Sequence, residues 1–311
     1  MAIFSHRTLP KKLSASLLSL EIPRDRYIQK IMLRVKVTNT HTTATGPNEN
    51  GVLNFIKNIQ LLGNSPKVKD QVVQVCGYDA WVIDAYEHGT PAKNDAPATG
   101  TLYGEITFNF QTDAKNPLDM SALINSRDFS NLDLVVTPGV IADLYDSVGD
   151  AVLNSWEITV TLREADLSAA DLAVVGNMLV VKETTKTVVV DSISSAYQFY
   201  TNLPTSTILK RITAIVNNTA SPSIRSDSVL TDTMIKQEAT PKNELLQSEW
   251  YTQQLDNKQT YGVASVIRGV TIWNLRDSNL LNATALKQGD ITWKANSAAL
   301  GTVRLVIQEV Y

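Results

Sequence analysis

Apolar and polar residues alternate strictly in "ITFNFQ" (106–111) and "EITVTLRE" (157–164). Successive side chains of a strand point to opposite faces, so this period of two predicts strands with one buried and one wetter side. Other β-branched or alternating runs, each broken by Gly, Pro or Asn, predict strands at "KIMLRVKVT", "FIKNIQLLG", "QVVQVCG" and "LDLVVTPG" in the first half. In the second half the same signals fall on "KTVVVDS", "YQFYTNL", "RITAIVN", "VIRGVTIW", "DITWK" and "TVRLVIQEV". Helical spacing is scarce. Leu118–Leu123 and Leu281–Leu286 read as helices of about two turns, and "DLSAADLAVVG" (166–176) as a helix with Asp166 or Ser168 as N-cap and Gly176 as its stop. Runs of strands with long polar loops and no regular βα alternation predict an all-β chain of sandwiches, jelly rolls in particular.

The pattern is also written twice. Lys30-Ile31 and Arg211-Ile212 open similar apolar runs 181 residues apart, and the runs close on Asn39-Thr40 and Asn218-Thr219, 179 apart. Trp81 and Trp250 follow at a separation of 169, "LDMSALI" and "LNATALK" at 163, and "TVTLREA" (159–165) and "RLVIQEV" (304–310) at 145. Chance matches would scatter, whereas a duplicated unit with shorter loops in its second copy gives separations that fall along the chain. Two tandem jelly-roll sandwiches with a few short helices are therefore expected, the two predicted two-turn helices matching each other. Asp113 and Asp277 precede those helices at equivalent places and read as a turn or cap. The expected divisions are a basic N-terminal arm over 1–12, a first jelly roll over 13–166, a connection over 167–184 and a second jelly roll over 185–311.

Length agrees, since 311 residues fit two domains of about 150. Charged residues are only 19% of the chain, below the roughly 25% of ordinary soluble domains, and Asn, Thr, Ser and Gln fill the loops. Polar, uncharged surface suits contact with other subunits at little desolvation cost. The net charge of −3 conceals an asymmetry: residues 1–36 carry eight basic residues, Arg7, Lys11 and Lys12 among them, against Glu21 and Asp25. "LSASLLSL" after Lys11-Lys12 is too short and serine-rich for a signal peptide. Cys76 is alone, which excludes an intrachain disulfide and any cysteine-based zinc site, and a reducing compartment is expected.

Enzyme signatures are absent: the chain has no phosphate-binding glycine loop, nucleophile elbow or H-E-x-x-H. The only histidines, His6, His41 and His88, all lie in the first half, so neither copy can build the histidine cluster of a metal-dependent double-sandwich enzyme. No cofactor is expected. Asp143, Asp146 and Asp150 in "DLYDSVGD" are the densest carboxylates and weak candidates for a hard cation, read more simply as a solvated acidic loop. Trp156 and Trp273 sit in apolar strands and read as core, not as sugar-stacking platforms.

Tandem β units of this size, with "LEIPRDRYIQKIMLRVKVT", then "GVLNFIKNIQLLGN", then "LDMSALIN" before a late strand, resemble the double jelly-roll major capsid proteins of tailless, membrane-containing icosahedral bacteriophages, the lineage of the adenovirus hexon. The resemblance spans essentially the whole chain through the order of loose motifs. It implies a non-enzymatic homotrimer, a pseudo-hexagonal capsomer that tiles an icosahedral shell around an internal membrane. Implied partners are further capsomers, penton and minor capsid proteins and the lipid head groups of that membrane, which Arg7, Lys11 and Lys12 would face; no specific nucleic acid is implied. The implied location is the virion, after a soluble stage in the host cytoplasm. The rival reading is a carbohydrate-binding adhesin or phage spike of tandem sandwiches, followed by a sandwich glycosidase.

Overall fold

The computed structural model describes residues 2–47, 50–66, 71–89, 91, 93, 99–111, 116–175, 179–219, 224–237, 245–275 and 283–311. Contacts divide the chain into two compact units, Met1–Lys182 and Glu183–Tyr311. In unit 1, β1 (Ile3–Thr8), β2 (Leu13–Ser14), β3 (Ser19–Glu21), β4 (Tyr27–Thr40), β5 (Thr45–Pro47), β6 (Ile56–Gly63) and β7 (Gln71–Val75) lead to helix α1 (Gly77–His88). Then come β8 (Gly100–Asn109), β9 (Ile124–Asn125), β10 (Leu132–Pro138), β11 (Tyr145–Ser147), β12 (Val152–Asp166) and helix α2 (Ala169–Val175). One sheet runs β1-β12-β4-β8 and the other β3-β10-β6-β7, with β2 and β9 appended to β12 and β4.

The second unit is wound from β13 (Val181–Val190), β14 (Ser194–Asn202), β15 (Ile208–Asn218), β16 (Leu230–Gln237), β17 (Leu245–Glu249), helix α3 (Trp250–Tyr261), β18 (Val270–Asn274), β19 (Ile291–Ser297) and β20 (Gly301–Val310). Its sheets run β13-β20-β15-β18 and β14-β19-β16-β17. Setting aside the short β2, β5, β9 and β11, both units place first, eighth, third and sixth strands in one sheet and second, seventh, fourth and fifth in the other. That winding is a jelly roll. The chain is thus all-β with two tandem jelly rolls, and the connection between the fifth and sixth of these strands carries α1 in one unit and α3 in the other.

Strand register shows the duplication residue by residue. In unit 1 Ile31 faces Leu162 across β4 and β12; in unit 2 Ile212 faces Ile307 across β15 and β20. These partners are the ones separated by 181 and 145 residues in the sequence. On the other flank Lys30 faces Asn109, and Arg211 faces Asn274. Both long strands also carry an extra residue at the same place. Ile28 and Lys30 face Glu164 and Arg163 with Gln29 left over, while Leu209 and Arg211 face Glu309 and Gln308 with Lys210 left over. The carbonyl of each bulged residue turns to accept the N–H just beyond the neighbouring strand, from Phe110 onto Gln29 (3.1 Å) and from Leu275 onto Lys210 (3.0 Å).

Each sandwich closes on its own apolar interior. In unit 2 Trp250, Trp273 and Trp293 pack with Ile212, Ala214, Leu305 and Ile307. Trp156 is buried as well, so both tryptophans expected in the core are there.

Three local expectations need correction. Leu118–Leu123 is a turn and not a helix, because Asp119 bonds the Ser121 N–H (2.9 Å) and Asn116 the Leu118 N–H (3.0 Å), which competes with helical bonding. Residues 283–286 are likewise turn; Asp113, Asp277, Leu281 and Asn282 lie outside the described residues. The expected basic arm over 1–12 is largely folded, since β1 pairs with β12 from Ile3↔Asp166 to Thr8↔Thr161. Of the helix read over 166–176, residues 169–175 form α2, with Ser168 at the N-cap: the Ser168 hydroxyl accepts from Asp171 N–H (3.2 Å) and the Asp171 carboxylate from Ser168 N–H (3.0 Å); Asp166 ends β12, and Gly176 lies outside the described residues.

Candidate functional site

The sites singled out in the sequence do not converge. Arg7 holds Asp25 through two bonds, of 2.6 and 3.1 Å, and also pairs with Glu164, which is 1% exposed. The Asp25 hydrogen bonds, with Glu164 adding to them, raise the Arg7 pKa, and Arg7 in turn lowers that of Asp25. Lys12 pairs with Glu157 (3.0 Å), which Lys36 also approaches (3.6 Å), and Lys12 first and Lys36 second hold the Glu157 carboxyl below its ordinary value. Of the three residues expected to face lipid, Arg7 and Lys12 are therefore engaged within their own unit, and Lys11 is exposed.

The acidic loop is equally dispersed. Asp143 pairs with Lys57 (2.5 Å) and accepts the Val140 N–H (2.8 Å). Asp150 takes the N–H groups of Thr42 (3.0 Å) and Thr43 (2.7 Å) and both their hydroxyls, and these bonds, the Thr42 hydroxyl first, drive its pKa far below the carboxylate range. Asp146 is exposed on β11. Among the described residues no three His, Cys, Asp or Glu side chains are placed to share a metal ion. No described helix is long and apolar enough to cross a membrane.

What the two units do share is a sealed sheet edge. Helix α1 lies against β8, where Asp84 accepts the Thr107 N–H (2.8 Å) and holds His88 Nδ1 (2.7 Å). Helix α3 lies against β18, where Asn257 bonds both backbone groups of Ile272, accepting its N–H (2.6 Å) and donating to its carbonyl (2.7 Å). Gln253 donates to the same carbonyl (2.9 Å). Asp227 draws together the Trp250 indole (3.2 Å), the Gln254 amide (2.6 Å) and Gly269 N–H (2.6 Å). Asp84 and Asn257 are each the eighth residue of a twelve-residue helix, and the helices end at Gly89 (φ 90°) and Gly262 (φ 67°). A positive φ favours glycine because it has no Cβ. An unpaired strand edge is a template for indiscriminate pairing, so these side chains decide which flanks of the sandwich stay inert. Sequence reasoning missed all of them.

No protein-family model and no curated protein sequence matches the chain. Among solved structures, the major capsid protein of Sulfolobus turreted icosahedral virus matches with a TM-score of 0.80 at 16% identity, over 99% of this chain and 96% of that one. The fold is the double jelly roll of viral major capsid proteins. The major capsid protein of bacteriophage PM2 shares the double jelly roll at a TM-score of 0.59 and 11% identity, covering 100% of this chain and 97% of that one. A chain of the PBCV-1 virus capsid does so at 0.62 and 10%, covering 100% and 94%. These matches extend beyond phages, so the shared double jelly roll is broader than the bacteriophage lineage resembled by the sequence.

Proposed function

We propose that the chain is a major capsid protein, with no catalytic role, whose homotrimer is a pseudo-hexagonal capsomer of an icosahedral virion. The observation that carries this reading is the match to capsid proteins over 99% and 100% of this chain and 96% and 97% of theirs. The register-level duplication supports the trimer: three chains of two equivalent units give six similar walls, which tile a lattice through near-equivalent contacts. Lattice neighbours, penton and minor capsid proteins are its partners in this reading, and the chain is soluble in the host cytoplasm before it assembles. An internal membrane belongs to the same reading, although Arg7 and Lys12 are held in ion pairs within their own unit. Light scattering on the purified chain is expected to give three times the 34.2 kDa chain mass. A monomer over a wide concentration range would exclude the capsomer.

A further inference from the structure

A sheet edge presents backbone N–H and C=O groups without an in-sheet partner, and it is there that another chain can add a strand. On β8 and β18 helix side chains occupy those groups. Strand β3 is only three residues long. Strand β14 departs from its ladder between Ser194 and Phe199, an irregularity that turns an edge away from pairing. Strands β1 and β17 differ from these. Each has an unbroken ladder on one side, β1 with β12 over six residues and β17 with β16 over five. Among the described residues no side chain of another element caps the backbone of either strand.

Direction and charge make the two complementary. Strand β1 is antiparallel to β12 and β12 to β4, so β1 runs with β4. Strand β17 is antiparallel to β16 and β16 to β19, and β19 turns back through residues 298–300 into β20, which is antiparallel to β15; β17 therefore runs with β15. In a capsomer whose six units all stand the same way up around one axis, as the trimeric reading requires, β1 and β17 come together in parallel, C-terminal ends adjoining. At that end of β17, Glu249 lies directly opposite Asp232, so two carboxylates share one end of the edge; Glu249 also caps α3 by accepting from Thr252 N–H (3.1 Å), and Asp232 accepts from the Asn296 amide (3.1 Å). Three residues past the end of β1 stands the exposed Lys11.

The geometry points to β1 of one copy adding in parallel alongside β17 of a second copy, with Lys11 placed over the Asp232 and Glu249 carboxylates, as the seam between chains of the capsomer. The inference rests on the trimeric reading and names the surfaces that reading needs. Each copy has one β1 and one β17, so the contact is head-to-tail and three copies close a ring with no edge left over.

Cysteine pairs test it, because neighbouring strands hold facing Cβ atoms about 4.5–5.5 Å apart, close enough for a disulfide after small shifts. His6→Cys with Gln247→Cys, and Ser5→Cys with Leu246→Cys, sample successive positions of one parallel register along the seam. Oxidised trimers of at least one pair are expected to run as three linked chains on a non-reducing gel, and the single variants, which also retain Cys76, as unlinked chains. Lys11→Glu, at an exposed position that leaves folding intact, is expected to raise the concentration for half-assembly by about tenfold, with Asp232→Lys restoring it. A trimeric wild type with no linkage in either pair and no effect of Lys11→Glu overturns the seam and leaves the trimer standing. A wild type that never trimerises overturns the trimer itself.

Discussion

Asn257→Leu is expected to lower the melting temperature of the chain by about 10 °C, with the amide of Ile272 exchanging far faster than its neighbours. Leucine has nearly the shape of asparagine, so packing changes little and the effect isolates two hydrogen bonds. The Ile272 carbonyl keeps Gln253 as a donor, but its N–H loses its partner in a residue that is 0% exposed. An orphaned buried donor costs about 1–3 kcal/mol and the second lost bond about 1 kcal/mol more, roughly 3 kcal/mol together. Thr260→Ala, on the exposed side of the same helix, is the control and should melt as the wild type does. An unchanged Ile272 amide in Asn257→Leu would mean that the edge of β18 does not depend on α3.

Arg7→Gln removes the charge opposite Glu164. Breaking an ion pair with a buried member costs about 3–5 kcal/mol, and because the Arg7 side chain is 33% exposed, water screens part of this, leaving about 2 kcal/mol. The pH dependence identifies the partners. The folded-state pKa of Asp25 is lowered by Arg7, so its contribution is fully present above the ordinary Asp value of 3.8 and is lost as pH falls through the folded value. Melting curves of wild type and Arg7→Gln should therefore lie several degrees apart at neutral pH and draw together below about pH 4. A constant gap across that range would show that Asp25 is not the titrating partner. Lys11→Gln, made in parallel, should leave the pH dependence of melting as in the wild type, since Asp25 and Glu164 bond Arg7 and not Lys11.

The duplication was legible because a strand's side chains obey a period of two, and because the residues facing one another in the sheet, such as Ile31 with Leu162 and Ile212 with Ile307, are apolar in both copies. The two longest helices were illegible for opposite reasons. In α1 all residues but His88 are buried, Asp79, Asp84 and Glu87 included, so no polar face marks a period of 3.6. In α3 the buried stripe has the right spacing, at Trp250, Gln253, Gln254 and Asn257, but three of its four members are amides. Its inner face bonds strand backbone instead of filling an apolar core, and hydropathy cannot see that. The caps gave no help, since Cys76 and Glu249 stand where Ser, Thr, Asp or Asn is usual. Gly89 and Gly262 were the signal available. The basic stretch misled because a count of charges ignores partners, and those of Arg7 and Lys12 lie far along the chain, at Glu164 and Glu157.

The extra residue at Gln29 and Lys210 acts as a ratchet on the chain's history. Deleting either one would turn the preceding part of its strand over, driving Ile28 or Leu209, both 0% exposed, out of the interior. It would also remove the carbonyl that catches Phe110 or Leu275. An ancestral insertion of this kind is easy to keep and hard to reverse, whereas the side chain at the bulge differs between the copies, a buried glutamine in one and a lysine in the other. Kinks of this sort should therefore outlast residue identity as markers of common descent, and a single-domain relative that carries one at the same place in its third strand would stand closer to the unduplicated ancestor than one that lacks it.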